Sequence, residues 1–151
     1  MRVLVNGEFS NWLDVLSGMP QGSVIGPLLF LIFVNEIPEW VRSGIKMFAD
    51  DIKLWKRIAT IDDRKILQDD ISKLVEQSNT CLLKFNVPKC KIMHIGHGLD
   101  TCYEMTQEGT TVTLENTMEE KDLGVYIASN MKPSVQCLKS AKKAQSVLGI
   151  I

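Results

Sequence analysis

Gly44-Ile45-Lys46-Met47-Phe48-Ala49-Asp50-Asp51-Ile52-Lys53-Leu54-Trp55 is the stretch that decides the fold. Two short strand-like runs, Gly44 to Phe48 and Ile52 to Trp55, flank Ala49-Asp50-Asp51, which predicts a hairpin with acids at its tip. The chain carries three adjacent aspartate pairs: Asp50-Asp51, Asp62-Asp63 and Asp69-Asp70. The last two fall at the start and on the polar side of a predicted long helix, where acids favour the N-terminal dipole or face water. Only Asp50-Asp51 stands between two apolar strands, where a charged tip has no obvious structural purpose. Two like charges held together repel, and a divalent cation relieves the repulsion. Mg²⁺ prefers carboxylate oxygens and keeps positions open for water and phosphate. In a two-metal site the ions clamp the attacking and leaving oxygens of a phosphoryl transfer. A solvated turn is the plain alternative for the pair taken alone.

Outward from the hairpin, Ser17-Gly18-Met19-Pro20-Gln21-Gly22-Ser23 reads as a loop ending at a helix start. Gly26-Pro27 opens that helix, because proline is tolerated in a first turn. Leu28 to Val34 is apolar on every side, which predicts a buried helix, closed by Asn35, Glu36 and Pro38. Before it, Arg2 to Ser10 reads as a strand with a turn at Asn6-Gly7, and a return strand through Trp12 and Val15 completes a hairpin. On the other side, Thr60 caps a long helix, with Asp63 three residues on. Leu67, Ile71, Leu74, Val75, Ser78 and Leu82 form its apolar stripe at steps of three and four, and the helix is expected to end near Asn86-Val87-Pro88. Strands are expected over 91–95, 111–114 and 123–127. A final helix starts near Pro133-Ser134, with Val135, Leu138, Ala141, Ala144 and Leu148 on one side. Helices mixed with antiparallel strands make an α+β pattern.

The length, 151 residues, is one domain's worth, and 45% hydrophobic with 23% charged residues is ordinary for a globular protein. The net charge of −1 argues against an independent binder of phosphate backbones, which draws its affinity from basic residues and counterion release. Lysines do cluster at Lys84, Lys89 and Lys91, and at Lys132, Lys139, Lys142 and Lys143, without acids among them. A solvated lysine face explains either cluster as well as a nucleic-acid contact does. The longest apolar run, Val24 to Val34, is interrupted by Gly26-Pro27 and falls short of the ~20 residues a membrane span needs. Met1-Arg2 leads into strand-like sequence rather than a signal peptide, so an intracellular chain with no membrane partner is expected. Cys81, Cys90, Cys102 and Cys137 show no CxxC spacing and read as reduced thiols. Cys90, His94, His97 and Cys102 raise zinc, but their spacing matches no finger or ribbon. The plain reading there is a strand, Lys91 to Ile95, ended by Gly96 and Gly98.

Taken together, Gly18-Met19-Pro20-Gln21-Gly22-Ser23-Val24-Ile25-Gly26-Pro27-Leu28-Leu29-Phe30, then Asn35-Glu36, then Phe48-Ala49-Asp50-Asp51 resemble the middle of a reverse transcriptase. The likeness is to the non-LTR (LINE-type, jockey-like) retrotransposon group. It continues through Leu83-Lys84-Phe85-Asn86-Val87-Pro88-Lys89-Cys90, Glu120-Lys121-Asp122-Leu123-Gly124-Val125, Ala141-Lys142-Lys143-Ala144 and Leu148-Gly149-Ile150. The resemblance implies a polymerase palm-like antiparallel sheet packed against helices, lacking fingers and most of the thumb. Residues 1–151 would then be a partial reverse-transcriptase domain, with 133–151 the start of the thumb. It implies an RNA-directed DNA polymerase that takes an RNA template, a DNA primer and a deoxynucleoside triphosphate, with two Mg²⁺ ions.

The resemblance also implies roles for residues. Asp50 and Asp51 match the metal-binding aspartates, with Phe48 and Ala49 beside them in the same motif. Pro20, Gln21 and Gly22 match a loop beside template and nucleotide, and its glycines allow close backbone approach. Lys89 matches a lysine near the nucleotide's phosphates that helps protonate the leaving pyrophosphate. Leu123 and Gly124 match the hairpin that grips the primer end. A tight turn, a surface lysine and a core strand are the respective plain alternatives.

Two departures qualify the match. The family's third metal-binding aspartate belongs to a phenylalanine-aspartate motif upstream of the Pro20-Gln21-Gly22 loop, whereas the acids before Gly18 here are Glu8 and Asp14, in the hairpin region. Two carboxylates of a three-carboxylate site imply a chain inactive alone. Cys81 stands where the family has tryptophan, which would cost a few kcal/mol (~2–4) at a buried site, as in a decaying element copy. The competing function is a non-catalytic remnant or interaction module with the same palm fold. An unrelated nucleic-acid-binding module, which needs a basic face and aromatic platforms, ranks last, since the net charge is −1 and Trp12, Trp40 and Trp55 are scattered.

Overall fold

A computed structural model describes residues 2–14, 24–96, 99 and 101–149. Three helices and ten short strands alternate along them, the α+β mixture expected. The strands form five separate two-stranded ladders rather than one sheet. Four are antiparallel: β1 (Leu4–Val5) with β2 (Glu8–Phe9), β3 (Gly44–Phe48) with β4 (Asp51–Trp55), β6 (Glu104–Gln107) with β7 (Thr110–Thr113), and β9 (Glu119–Asp122) with β10 (Val125–Ala128). The fifth, β5 (Lys91–Ile92) with β8 (Glu115–Asn116), is parallel. The return strand expected through Trp12 and Val15 stops at Phe9, and Val15 lies outside the described residues.

The scaffold is α2, Ile61–Thr80. Its start is the expected capping box: the Asp63 amide donates to Thr60 Oγ1 at 3.2 Å, and the Thr60 amide donates to Asp63 Oδ2 at 3.0 Å. Hydrogen bonds from the Thr60 side chain and the Ala59 amide hold the Asp63 carboxyl below its ordinary value. The helix ends at Thr80, well before the expected Asn86-Val87-Pro88. The cause is a Schellman closure, in which Leu83 N–H bonds Ser78 C=O at 2.9 Å and Leu82 N–H bonds Asn79 C=O at 3.2 Å. Leu82 takes the left-handed position at φ 57° that glycine usually fills, so no glycine in the sequence announces the stop. Leu82 consequently leaves the stripe and is exposed, and so is Cys81. An exposed cysteine leaves no void, so the expected cost of a missing tryptophan does not arise.

One face of α2 builds the core. Val75 packs with Val87, Tyr103, Met105 and Leu114, and Leu67, Ile71, Phe85, Cys90 and Ile92 pack against that cluster. Gln68 ties the helix to β6 by accepting from the Glu104 amide at 2.9 Å and donating to the Glu104 carbonyl at 2.8 Å. These two bonds satisfy backbone that no strand pairs on that side.

The helix expected to be buried is not. α1 (Gly26–Glu36) opens with its proline as expected, yet Leu28, Leu29, Leu31 and Ile32 are all about half exposed or more. Phe30, Phe33 and Val34 are half-buried, with the Phe33 ring 5.7 Å from that of Trp40. Most of its apolar side chains stay exposed among the described residues, so apolar content alone gives no burial here. Among the described residues no helix is long and apolar enough to cross a membrane.

Several strand expectations also shift. The strand expected over 91–95 is only β5, and that over 111–114 is β7, displaced by one residue. Leu123 and Gly124 form a turn rather than the start of a strand, with β10 beginning at Val125. β6 and β9 were not expected at all: Glu119–Asp122 is all charged residues that strands disfavour, and Glu104–Gln107 lacks an alternating apolar pattern. The final helix, α3 (Ser134–Leu148), begins where proline placed it, and Leu138 and Leu148 on its apolar side stay exposed.

Candidate active site

The β3–β4 hairpin forms as the alternation demands. Ile45, Met47, Ile52 and Leu54 share the half-buried face, while Lys46, Phe48 and Asp51 on the other face are exposed. Gly44 is required beneath Trp55: a Cβ there would lie 2.3 Å from the indole Cε2. Phe48 pairs with Asp51, and Ala49 and Asp50 form the two-residue turn. Ala49 sits at φ 51°, a left-handed conformation that costs a non-glycine residue about 1 kcal/mol. Asp50 and Asp51 are exposed, and no described residue forms an ion pair or hydrogen bond with either. Their charges are therefore available to a cation. Among the described residues no third Asp, Glu, His or Cys joins them in a cluster that could hold a metal.

The base of the hairpin is held by a residue that sequence reading placed in water. Asp70 is not on the polar side of α2; its side chain is fully buried, at 0% exposure. It accepts from the Ser43 amide at 2.8 Å and the Arg42 amide at 3.2 Å, with Arg42 Nε 3.6 Å away. These amides lead directly into β3, so Asp70 fastens the entry of the hairpin to the helix. Burial pushes its carboxyl up, but the Ser43 side chain, both amides and the guanidinium together hold it below the ordinary carboxylate value. Ser43 Oγ is buried and makes no well-formed hydrogen bond itself, so the amides carry the contact. The signal was in the spacing: Asp70 stands three residues after Leu67 and four before Leu74, within the apolar stripe.

The β9–β10 hairpin turns at Leu123-Gly124, with φ of 47° and 89°. Both central residues are left-handed, as a type I′ turn requires, and an exposed leucine occupies the first. This hairpin meets the first through an ion pair between Lys53 Nζ and Asp122 Oδ1. Asp51 and Leu123-Gly124 thus lie on two hairpins linked by this ion pair. Beside Gly124 runs an open groove lined by Lys121, Tyr126, Lys139, Lys142 and Lys143. Lys139 Nζ lies 3.8 Å from the Tyr126 ring centre and 2.7 Å from Glu119 Oε1, and Gln136 accepts from the Tyr126 amide at 2.8 Å.

Lys89 ends a single 3-10 turn, Val87–Lys89, whose Val87 is part of the core. The lysine is exposed, and no hydrogen bond or ion pair joins it to the Asp50-Asp51 hairpin. Its cluster is less free than its sequence suggested, since Lys84 pairs with Glu108, and Lys91 with Glu120 at 3.5 Å. Pro20, Gln21 and Gly22 lie outside the described residues. So does His97 of the zinc alternative; of the rest, His94 Nε2 meets Thr101 Oγ1 at 3.0 Å, and Cys90 bonds Asn86 C=O at 3.5 Å. Burial also pushes the Cys90 thiol up, which disfavours the thiolate a metal needs.

Comparison with known proteins bears on the family. Residues 3–150 match the family described as reverse transcriptase (RNA-dependent DNA polymerase). The RNA-directed DNA polymerase from mobile element jockey of Drosophila funebris is 30% identical over 134 residues, 83% of this chain and 14% of that protein. The chain therefore spans about one-seventh of the length of this curated relative. No solved structure matches it. With the family's match running through both hairpins and the helix between them, the chain belongs to the reverse transcriptase (RNA-dependent DNA polymerase) family.

Proposed function

We propose that this chain is the palm portion of an RNA-directed DNA polymerase of a mobile element, with Asp50 and Asp51 as metal-binding carboxylates. The observation that carries the reading is the hairpin tip, where two adjacent, exposed carboxylates stand without any described cationic partner. Such a donor set fits part of a Mg²⁺ shell, because the hard cation takes carboxylate oxygens and retains water on its other positions. When bound, the ions would polarise the phosphate and stabilise charge on the attacking and leaving oxygens. The chain's own residues do the positioning. Asp70 fixes where the hairpin leaves α2, and β3–β4 pairing fixes which way Asp51 faces.

The Leu123-Gly124 turn would hold the primer end, and the lysine groove beside it would receive nucleic-acid phosphate. Lys89 would stand near the nucleotide's phosphates, and Pro20, Gln21 and Gly22 beside template and nucleotide. α3, set against β10 through Gln136, would begin the thumb. RNA template, DNA primer and deoxynucleoside triphosphate are the corresponding ligands of the longer protein.

The described residues supply two carboxylates, and a three-carboxylate site needs one from elsewhere. That favours a chain without polymerase activity by itself, and it keeps a second reading in play, in which the fold survives as a non-catalytic interaction module. Mg²⁺ titration separates the two. The polymerase reading expects binding that Asp50→Asn weakens by about tenfold or more, as loss of one of two anionic donors should. A chain that binds Mg²⁺ no better than Asp50→Asn belongs to the second reading.

A further inference from the structure

We propose that Lys53 and Asp122 are a positioning pair, a strut that sets the spacing between the Asp50-Asp51 tip and the Leu123-Gly124 turn. The inference rests on the palm reading for its purpose, though its geometry stands apart from it. Lys53 follows Asp51 by two residues on β4 and so projects from the same face. Asp122 is the last residue of β9, immediately before Leu123. The pair thus links the residue next to the Leu123-Gly124 turn with the second residue along β4 from Asp51.

Three observations single it out. The hairpins belong to separate two-stranded ladders, so no backbone pairing fixes their separation. Among the described residues no other hydrogen bond or ion pair joins them. Lys53 also lies directly across from Lys46, a like-charge arrangement that works against the hairpin unless a carboxylate arrives from outside. Asp122 is that carboxylate, its side chain 25% exposed against 42% for Lys53. A second consequence concerns charge. An ammonium on the face of Asp51 could otherwise fold back and compete with a metal ion, and pairing with Asp122 draws it away.

Double electron–electron resonance on the full chain tests the strut. Spin labels are placed at Arg57→Cys, just beyond β4, and Lys121→Cys after Cys81, Cys90, Cys102 and Cys137 are each replaced by Ser. A narrow distance distribution is expected, with about a twofold broadening in Asp122→Asn at unchanged helix content and Tm, because exposed ion pairs contribute little to global stability. The swapped pair Lys53→Asp with Asp122→Lys should restore the narrow distribution, as reciprocal exchange does for a direct interaction. A distribution unchanged in Asp122→Asn overturns the proposal, and so does a swap that leaves it broad while the fold is intact. Mn²⁺ titration of the same proteins reads the carboxylate site separately. Absence of binding would refute the palm chemistry while the distance result still decided the strut.

Discussion

Asp70 shows how much one buried carboxylate can organise. It accepts two amides at the entry to β3, and truncation would leave both without this partner, the Ser43 amide in a buried site and the Arg42 amide in a partly buried one. Asp70→Ala should cost about 2–4 kcal/mol, the usual penalty for two orphaned donors, while Asp70→Asn keeps one acceptor and should cost less. Because the folded carboxyl is held below its ordinary value, its stabilising effect is complete above the unfolded carboxylate pKa. It fades as the pH falls through the folded value. Denaturant melts taken from neutral pH down through the carboxylate range should therefore show a shallower decline for Asp70→Asn than for the parent. Equal slopes would mean that the carboxylate is not the titrating support. At the same scale, Ala49 and Leu123 hold left-handed backbone without glycine, and both occupy turns that the family resemblance assigns to chemistry. Local strain of this kind persists where surrounding structure enforces it.

At the scale of elements, the parts governed by short-range chemistry were legible and those governed by context were not. The Asp50-Asp51 hairpin follows from two apolar runs around a polar turn, and the start of α2 from Thr60 and Asp63. The end of α2 could not be read, because its left-handed closing residue is Leu82 rather than glycine. Leu82→Gly should therefore stabilise the chain by about 1 kcal/mol, read as a rise in Tm, by relieving that strain without touching the core. β6 and β9 were hidden by their glutamates and lysine, since they are held by α2, by Gln68 and by their partner strands rather than by propensity. Asp70 was misplaced because an acid was assumed to face water, although its spacing put it in the stripe. Pro20, Gln21 and Gly22 were named from the resemblance and from the close approach that glycine permits, and they lie outside the described residues.

For the molecule as a whole, the described residues hold a core of Val75, Val87, Tyr103, Met105 and Leu114, and two hairpins are linked to each other by the Lys53–Asp122 ion pair. Most apolar side chains of α1 stay exposed among the described residues, a reminder that apolar content predicts burial only where a partner exists. The central claim is that the Phe48-Ala49-Asp50-Asp51 tip is a cation site set beside the Leu123-Gly124 turn. Paramagnetic Mn²⁺ added to the ¹⁵N-labelled chain tests it most directly, since amides near the bound ion lose signal first. Selective loss at residues 48–52, followed by residues 122–125 on the neighbouring hairpin, and its abolition in Asp50→Asn/Asp51→Asn, is the predicted result. Loss centred on another acidic cluster, or a pattern that the double substitution leaves unchanged, would contradict it.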